Sequence, residues 1–256
     1  MGLILELRNI GMNYHDPTSE TIAIEDVSFG VSEGEFVSIV GPSGCGKSTL
    51  LSIISGLLPP SQGECVIEGK PISELSDKRR TVGYMLQSDH LFEWRTILGN
   101  ALLGLEVRGD LNAESRAACN KLLARYGLAE FSNHRPSQLS GGMRQRAALI
   151  RTLAINPSIL LLDEPFSALD YQTRLRVTDD IATIIRKEGK TAVLVTHDIS
   201  EAVSVSDRVI VLSKRPSHIV NIHDVGLSNI ETSPIKAREH PDFRKHFNLI
   251  WKELET

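Results

Sequence analysis

An α/β fold with a mostly parallel sheet is predicted by three features of the chain. Short unbroken apolar runs recur from Ile159 to Leu162, from Thr191 to Val195 and from Arg208 to Leu212. A strand with one solvated face would alternate apolar and polar residues, so unbroken runs point to parallel strands covered on both faces. A glycine-rich loop, GPSGCGKST from Gly41 to Thr49, directly follows another such run, Glu35-Phe36-Val37-Ser38-Ile39-Val40. Between the early and late strands, residues from about 88 to 155 offer no good strand candidate and several helical patterns, which predicts a helical insertion in the α/β core.

Each element has a local reason. Ile22 to Val31 mixes apolar and acidic residues before a turn at Glu33-Gly34, where the buried strand from Glu35 to Val40 begins. After the glycine loop, Leu50, Leu51, Ile53, Ile54, Leu57 and Leu58 recur at helical spacing, and Pro59-Pro60 are expected to stop that helix. Within the insertion, helical patterns run from Ala113 to Tyr126 and from Met143 to Leu153. The tail, about 240–256, places Phe243, Phe247, Ile250, Trp251 and Leu254 on one helical face, expected to pack against the core. The expected organisation is a single domain over 1–256, with neither an internal repeat nor a low-complexity segment.

Composition sets limits on function. A chain of 256 residues can bury a full core, and 41% hydrophobic with 23% charged residues is ordinary for a soluble domain. A net charge of -4 gives no reason to expect nucleic acid as a partner. The three cysteines are odd in number and lack metal-ligand spacing, which fits a reducing cytoplasm. MGLILELRNIGMNY has no basic start before its apolar run, and no stretch approaches the ~18 apolar residues of a membrane span, so export and membrane crossing are not expected.

The chemistry starts at the glycine loop. Gly41, Gly46, Lys47 and Ser48 satisfy G-x-x-x-x-G-K-[ST], a pattern that arises by chance in roughly one chain in a hundred. Its setting between strand and helix is the one its mechanism requires. In the loop of Gly41, Pro42, Ser43, Gly44, Cys45, Gly46, Lys47, Ser48 and Thr49 the glycines let backbone N–H groups face a nucleotide's β-phosphate, Lys47 reaches the β- and γ-phosphates, and Ser48 suits Mg²⁺. Asp163-Glu164-Pro165 follow the run from Ile159, at the end of a strand where open α/β sheets place ligands. Asp163 suits the Mg²⁺ shell, and Glu164 is left to orient or deprotonate an attacking water. Alone, that pair would be a solvated turn; beside the glycine loop it gains a role. The loop also leads to an expectation for Cys45, whose thiol is expected to have a lowered pKa and to block ATP binding when alkylated.

A second glycine motif, QLSGGMRQR from Gln138 to Arg146, is harder to place. Ser140 is expected to cap a helix beginning near Gly142, leaving N–H groups and a positive dipole end directed outward, with nothing local to fill the site. With this motif added, the chain resembles the nucleotide-binding subunit of an ATP-binding cassette (ABC) transporter. Six motifs stand in that family's order: GPSGCGKST, Gln87 in YMLQSD, LSGGMRQR, ILLLDEP, SALD from Ser167 to Asp170, and THD from Thr196 to Asp198.

The resemblance implies a P-loop NTPase core of mostly parallel sheet, with an N-terminal antiparallel β part and a helical subdomain. It implies Tyr14 as the adenine-stacking residue, Gln87 as a ligand to the metal and the water, His197 as a γ-phosphate contact, and ATP with Mg²⁺ as cofactors. It also implies that two copies assemble head to tail, Ser140, Gly141 and Gly142 of one closing over the ATP held by the other, with Asp170 coupling the sites. Glu164, His197, Lys47 and Gln87 are the catalytic set so implied, and Ser48, Gln87 and Asp163 the metal set. Further partners implied are two transmembrane permease subunits at the cytoplasmic face of the membrane and, indirectly, an external solute-binding protein.

SALDYQTR, VTHDISEAVSVSDRVIVLSKRP and HPDFRKHFNLIW are most similar to the branch importing nitrate, sulfonate, taurine and related compounds, some relatives carrying pyrimidine-type vitamin precursors. One departure stands out: Glu93 occupies the place of a frequent proline in Leu91-Phe92-Glu93-Trp94. The rival readings are a soluble cassette acting in translation or on DNA, which usually carries paired cassettes or a long coiled coil, and a P-loop kinase or GTPase.

Overall fold

The computed structural model describes residues 2–16, 19–75, 81–227 and 233–255. Thr256, the end of the predicted tail, lies outside them. Two long strands, β1 (Leu3–Asp16) and β2 (Ser19–Ser32), form an antiparallel hairpin. With β4 (Gln62–Ile67) and β5 (Lys70–Pro71) they make one sheet in the order β2-β1-β4-β5. The second sheet contains β3 (Phe36–Val40), β6 (Val82–Met85), β7 (Ile159–Asp163), β8 (Thr191–Val195), β9 (Arg208–Leu212) and β10 (Ile219–Asp224). Its order is β10-β9-β3-β8-β7-β6, and it is parallel except for the antiparallel pair of β10 with β9.

Period-two alternation explains the unbroken apolar runs. Ile159, Leu161, Val193 and Val195 enter a core shared with the β1–β2 hairpin and helix α1 (Lys47–Ile54). Leu160, Leu162, Ala192 and Leu194 enter a core on the opposite face. That second core is closed by α2 (Ile97–Arg108), α3 (Ala113–Arg125), α4 (Gly141–Ala154) and α5 (Tyr171–Lys187). Every residue of β3 and β8 is buried, as strands sandwiched on both faces must be. A third cluster joins Val40, Val209 and Val211 to α6 (Ile199–Val205) and to the last helix, α8 (Phe243–Glu255), which follows the short α7 (Pro234–Ala237).

Two expectations are corrected. The helix after the glycine loop ends at Ile54, short of Pro59, because the chain turns at Ser55 and Gly56, whose φ is 70°. Leu57 therefore leaves the packed face and is 73% exposed. In α8, Ile250 is fully buried and Phe243, Phe247 and Leu254 pack beside it. Trp251 instead stands at the rim, 50% exposed, with its ring against Phe247 at 6.1 Å between centroids.

Candidate active site

Strand register builds the site. Ile39 of β3 pairs with Val195 of β8, and Val195 pairs with Asp163 of β7, so three carboxyl ends lie side by side. The glycine loop leaves β3, Thr196 and His197 leave β8, and Glu164 follows β7. Met85 pairs with Leu162, which brings the chain leading to Gln87 to the same edge. Motifs about 115 residues apart in sequence thus meet because parallel strands all discharge their loops on one side.

Within the loop, Gly44 and Gly46 take φ of 75° and 109°, a region that costs side-chain-bearing residues strain. Lys47 is nearly buried, and its ammonium donates to the carbonyls of Gly41 (2.8 Å) and Pro42 (3.0 Å). An ammonium has three N–H donors, so one remains for an anion in the loop. Arg215, assigned no role from sequence, braces the loop by donating to Gly44 O at 2.8 Å.

Two of the three expected metal ligands meet. Ser48 Oγ donates to Asp163 Oδ1 at 3.1 Å, and the hydroxyl of Tyr84, which heads the YMLQSD stretch without a role of its own there, donates to Oδ2 at 3.3 Å. Burial pushes the Asp163 carboxyl up, against the pull of those hydrogen bonds, so a cation beside it would relieve a desolvation cost. A hydroxyl and a carboxylate suit Mg²⁺, which keeps waters and substrate phosphates as its remaining ligands. Among the described residues no cluster of three or more carboxylate, histidine or cysteine ligands exists to hold a metal without such help. Gln87 is directed elsewhere: its amide donates to Ser167 Oγ at 3.3 Å, and that hydroxyl donates to Glu164 O at 3.0 Å.

Glu164 and His197 form a pair. Glu164 sits at φ 43° and donates its N–H to Val195 O at 2.9 Å, which fixes its backbone to β8. Its Oε2 lies 3.0 Å from His197 Nδ1, at a partly exposed edge where water has access. Tyr14 is 41% exposed and its hydroxyl is 3.2 Å from Thr49 Oγ1, so its ring stands beside the loop.

Ser140 caps α4, accepting from Met143 N at 3.4 Å. The two glycines that follow have a packing reason. A Cβ on Gly142 would come within 2.7 Å of Val177 Cγ2, and one on Gly141 within 3.0 Å of Leu169 Cδ2. The polar residues after them tie the helix down: Arg144 pairs with Asp89 at 3.1 Å, and Arg146 donates to Tyr126 O at 3.3 Å. Glu93 joins this scaffold by accepting the N–H of Ser137 at 3.1 Å, two positions before Leu139 of the second glycine motif. Among the described residues no hydrogen bond or ion pair links Ser140, Gly141 or Gly142 to the phosphate loop of the same chain. Asp170 caps α5 through Thr173 N at 3.1 Å.

Cys45 contradicts the expectation of a lowered pKa. Its thiol is 1% exposed and close enough to Gly41 that a Cβ there would meet Sγ at 2.8 Å. Burial raises the thiol pKa and outweighs Lys47 and the loop N–H groups, which act to lower it. Alkylating reagents are therefore expected to label Cys45 slowly in the folded chain and rapidly after denaturation. Mass spectrometry before and after urea would measure this; fast native labelling would restore the expectation of a thiol with a lowered pKa.

Comparisons with known proteins bear on the family and the fold. A family model described as ABC transporter matches residues 24–167. The chain is 47% identical over 252 residues to an uncharacterized ABC transporter ATP-binding protein, YtlC, of Bacillus subtilis (strain 168), covering 98% of this chain and 96% of that one. It is 41% identical over 224 residues to a taurine import ATP-binding protein, TauB, of Yersinia pestis bv. Antiqua, covering 86% and 87% of the two. A dimeric post-hydrolysis structure of the ATP-binding cassette MJ0796, bound to ADP and Pi, superposes with a TM-score of 0.72 at 36% identity, covering 86% of this chain and 98% of that one.

Proposed function

The chain belongs to the ABC transporter family, and from that premise we propose that it energises import of a small organic or anionic solute as a head-to-tail pair of copies. Like the family's other cassettes it is an ATPase. The observation that carries the mechanism is the meeting of Ser48 with Asp163 and of Glu164 with His197 on one sheet edge.

In this mechanism Glu164 orients a water for in-line attack on the γ-phosphate. The new bond forms between water oxygen and phosphorus as the bond to the β-γ bridging oxygen breaks, giving ADP and phosphate. Glu164 accepts the water's proton, and the contact with His197 Nδ1 keeps the carboxylate aimed. Lys47 offsets charge on the β- and γ-oxygens, and a Mg²⁺ held by Ser48 and Asp163 would add to that stabilisation. Gln87, linked through Ser167 to the Glu164 carbonyl, passes the state of the site to the chain that follows it.

Import is supported by the likeness to the taurine import protein, and solute choice is assigned to partners rather than to this chain. Taurine, sulfonate, nitrate and pyrimidine-type compounds are the candidate solutes, delivered by an external binding protein to two permease subunits. No helix among the described residues is long and apolar enough to cross a membrane; in this reading the permease contact is made by the chain's surface, on the cytoplasmic side. An apolar groove of about 520 Å³ between the end of α1 and α2 suits it, lined in part by Leu57, Tyr84, Leu103, Gly104 and Val107. Leu57 and Val107 are 73% and 67% exposed there, and Trp94, stacked on Phe92 with centroids 4.7 Å apart, is 70% exposed nearby in sequence.

Leu57→Glu is expected to leave the ATPase of the purified chain unchanged and to abolish its co-purification with permease subunits co-expressed with it. Undiminished co-purification would remove the groove from the proposal. Turnover stimulated by DNA or ribosomes would favour a soluble cassette instead.

A further inference from the structure

We propose that Glu201 is a positioning residue for hydrolysis, holding from behind the turn that presents His197 to Glu164. The inference rests on Glu164 and His197 being the catalytic pair. Glu201 lies in the first turn of α6, only 4% exposed, and both of its carboxylate oxygens are used. Thr196 donates its hydroxyl to Oε2, and Thr178, reaching across from α5, donates to Oε1 at 3.3 Å. The Thr196 oxygen in turn accepts the N–H of Asp198 at 3.1 Å. Asp198 Oδ1 accepts the N–H of Glu201 at 3.1 Å, which closes the circuit. His197 is the residue enclosed between Thr196 and Asp198, so its backbone is clamped by groups that all lead to Glu201.

A second arm reaches the other catalytic residue. Arg174 of α5 donates through Nη2 to the carbonyls of Ser167 (3.4 Å) and Leu169 (3.0 Å), in the loop that follows Glu164. Its Nη1 lies 3.9 Å from Asp198 Oδ2, and its buried Nε has no hydrogen-bond partner. Glu164, Ser167, Arg174, Thr196, His197 and Glu201 line one small cavity. The charged and titratable groups facing Glu201 are therefore Arg174 from α5, Asp198 and His197 from the turn, and Glu164 from the loop after β7.

A glutamine at this position would fill the same space without burying a charge, but only its one carbonyl oxygen can accept, so Thr196 and Thr178 could not both donate to it. The ionised form matters because of hydrogen direction. As an acceptor only, the carboxylate takes hydrogen bonds from Thr196 and Thr178 at once, which holds the Thr196 hydroxyl in the orientation that lets its oxygen accept the Asp198 N–H. A protonated carboxyl must donate from one of its two oxygens, which reverses the hydrogen bond to Thr196 or Thr178 and loosens the turn. Burial pushes the Glu201 carboxyl up to about 7, so this exchange falls within the neutral range.

The test is steady-state ATPase of the full chain at saturating Mg-ATP across the neutral range, for wild type, Glu201→Gln and Glu164→Gln. In wild type, kcat is expected to fall on the acid side as Glu201 takes up a proton. Glu201→Gln is expected to lower kcat roughly tenfold, the scale on which outer-sphere partners act, with KM for ATP unchanged and the acid limb lost.

Its melting temperature is a second measurement. A carboxyl raised in the folded state contributes stability at low pH that is lost as pH rises through about 7. Glu201→Gln should therefore melt higher than wild type above neutral pH while turning over more slowly, a combination misfolding cannot produce. A Glu201→Gln enzyme with the wild-type kcat, or a slow one that keeps the wild-type acid limb, would overturn the inference. Full activity in Glu164→Gln would overturn the reading of the catalytic pair instead.

Discussion

Glu164→Gln is expected to bind ATP as wild type does and to hydrolyse it about 10² to 10⁴ times more slowly, the range set by loss of a general base. The substitution is nearly isosteric. Its side-chain oxygen still accepts from His197 Nδ1, and its N–H still reaches Val195 O, so the φ of 43° at this position is unaffected. What is lost is the capacity to take a proton from water. A chain that binds ATP but cannot cleave it should accumulate as a closed dimer, measurable by light scattering in Mg-ATP. A monomer persisting at saturating Mg-ATP would count against hydrolysis across a paired interface.

Ser140→Arg should have a comparable effect by another route. The phosphate loop of the same chain makes no described hydrogen bond with Ser140, Gly141 or Gly142, so nucleotide affinity is expected to be retained. The bulky cation would block the outward N-terminus of α4, and hydrolysis should fall by about 10²-fold or more, as when donors to a transferring phosphoryl group are removed. Loss of the Ser140 cap costs about 1 kcal/mol, small beside the ~5–15 kcal/mol of a folded domain, so the variant should fold. Combined with Glu164→Gln, it should prevent the ATP-dependent dimer. Wild-type turnover in Ser140→Arg would sink the composite site, as would complete loss of ATP binding.

Local chemistry explains which features were legible in the sequence. The runs at β7, β8 and β9 mark buried parallel strands because both faces of each are covered, and the structure places β8 and β9 where the runs lie. Ser140 was legible as a cap because a hydroxyl before a helix satisfies a nearby N–H. The hairpin of β1 and β2 was not legible strand by strand, since its bulged register mixes the apolar and polar positions. The end of α1 was misjudged because the left-handed turn at Gly56 outranked the prolines beyond it.

The site divides the same way. Gly41 to Thr49, Asp163, Glu164 and His197 were named from motifs, and the structure brings Ser48 to Asp163 and Glu164 to His197. Tyr84, Arg174, Arg215 and Glu201 lie within stretches that mark the family but receive no role from them, because each acts by contact across distant segments. Cys45 was misread for the same reason. Sequence showed its charged neighbours, but only the fold shows the burial that outweighs them.

The sequence by itself therefore determined the fold class, the nucleotide chemistry and the family, since these depend on residue types at fixed short spacings. Only the tertiary structure decided which groups touch, whether a thiol or carboxyl is buried, and which polar side chains hold the catalytic pair. Those depend on strand register and helix packing, which bring residues together from far along the chain and set the dielectric around each charge.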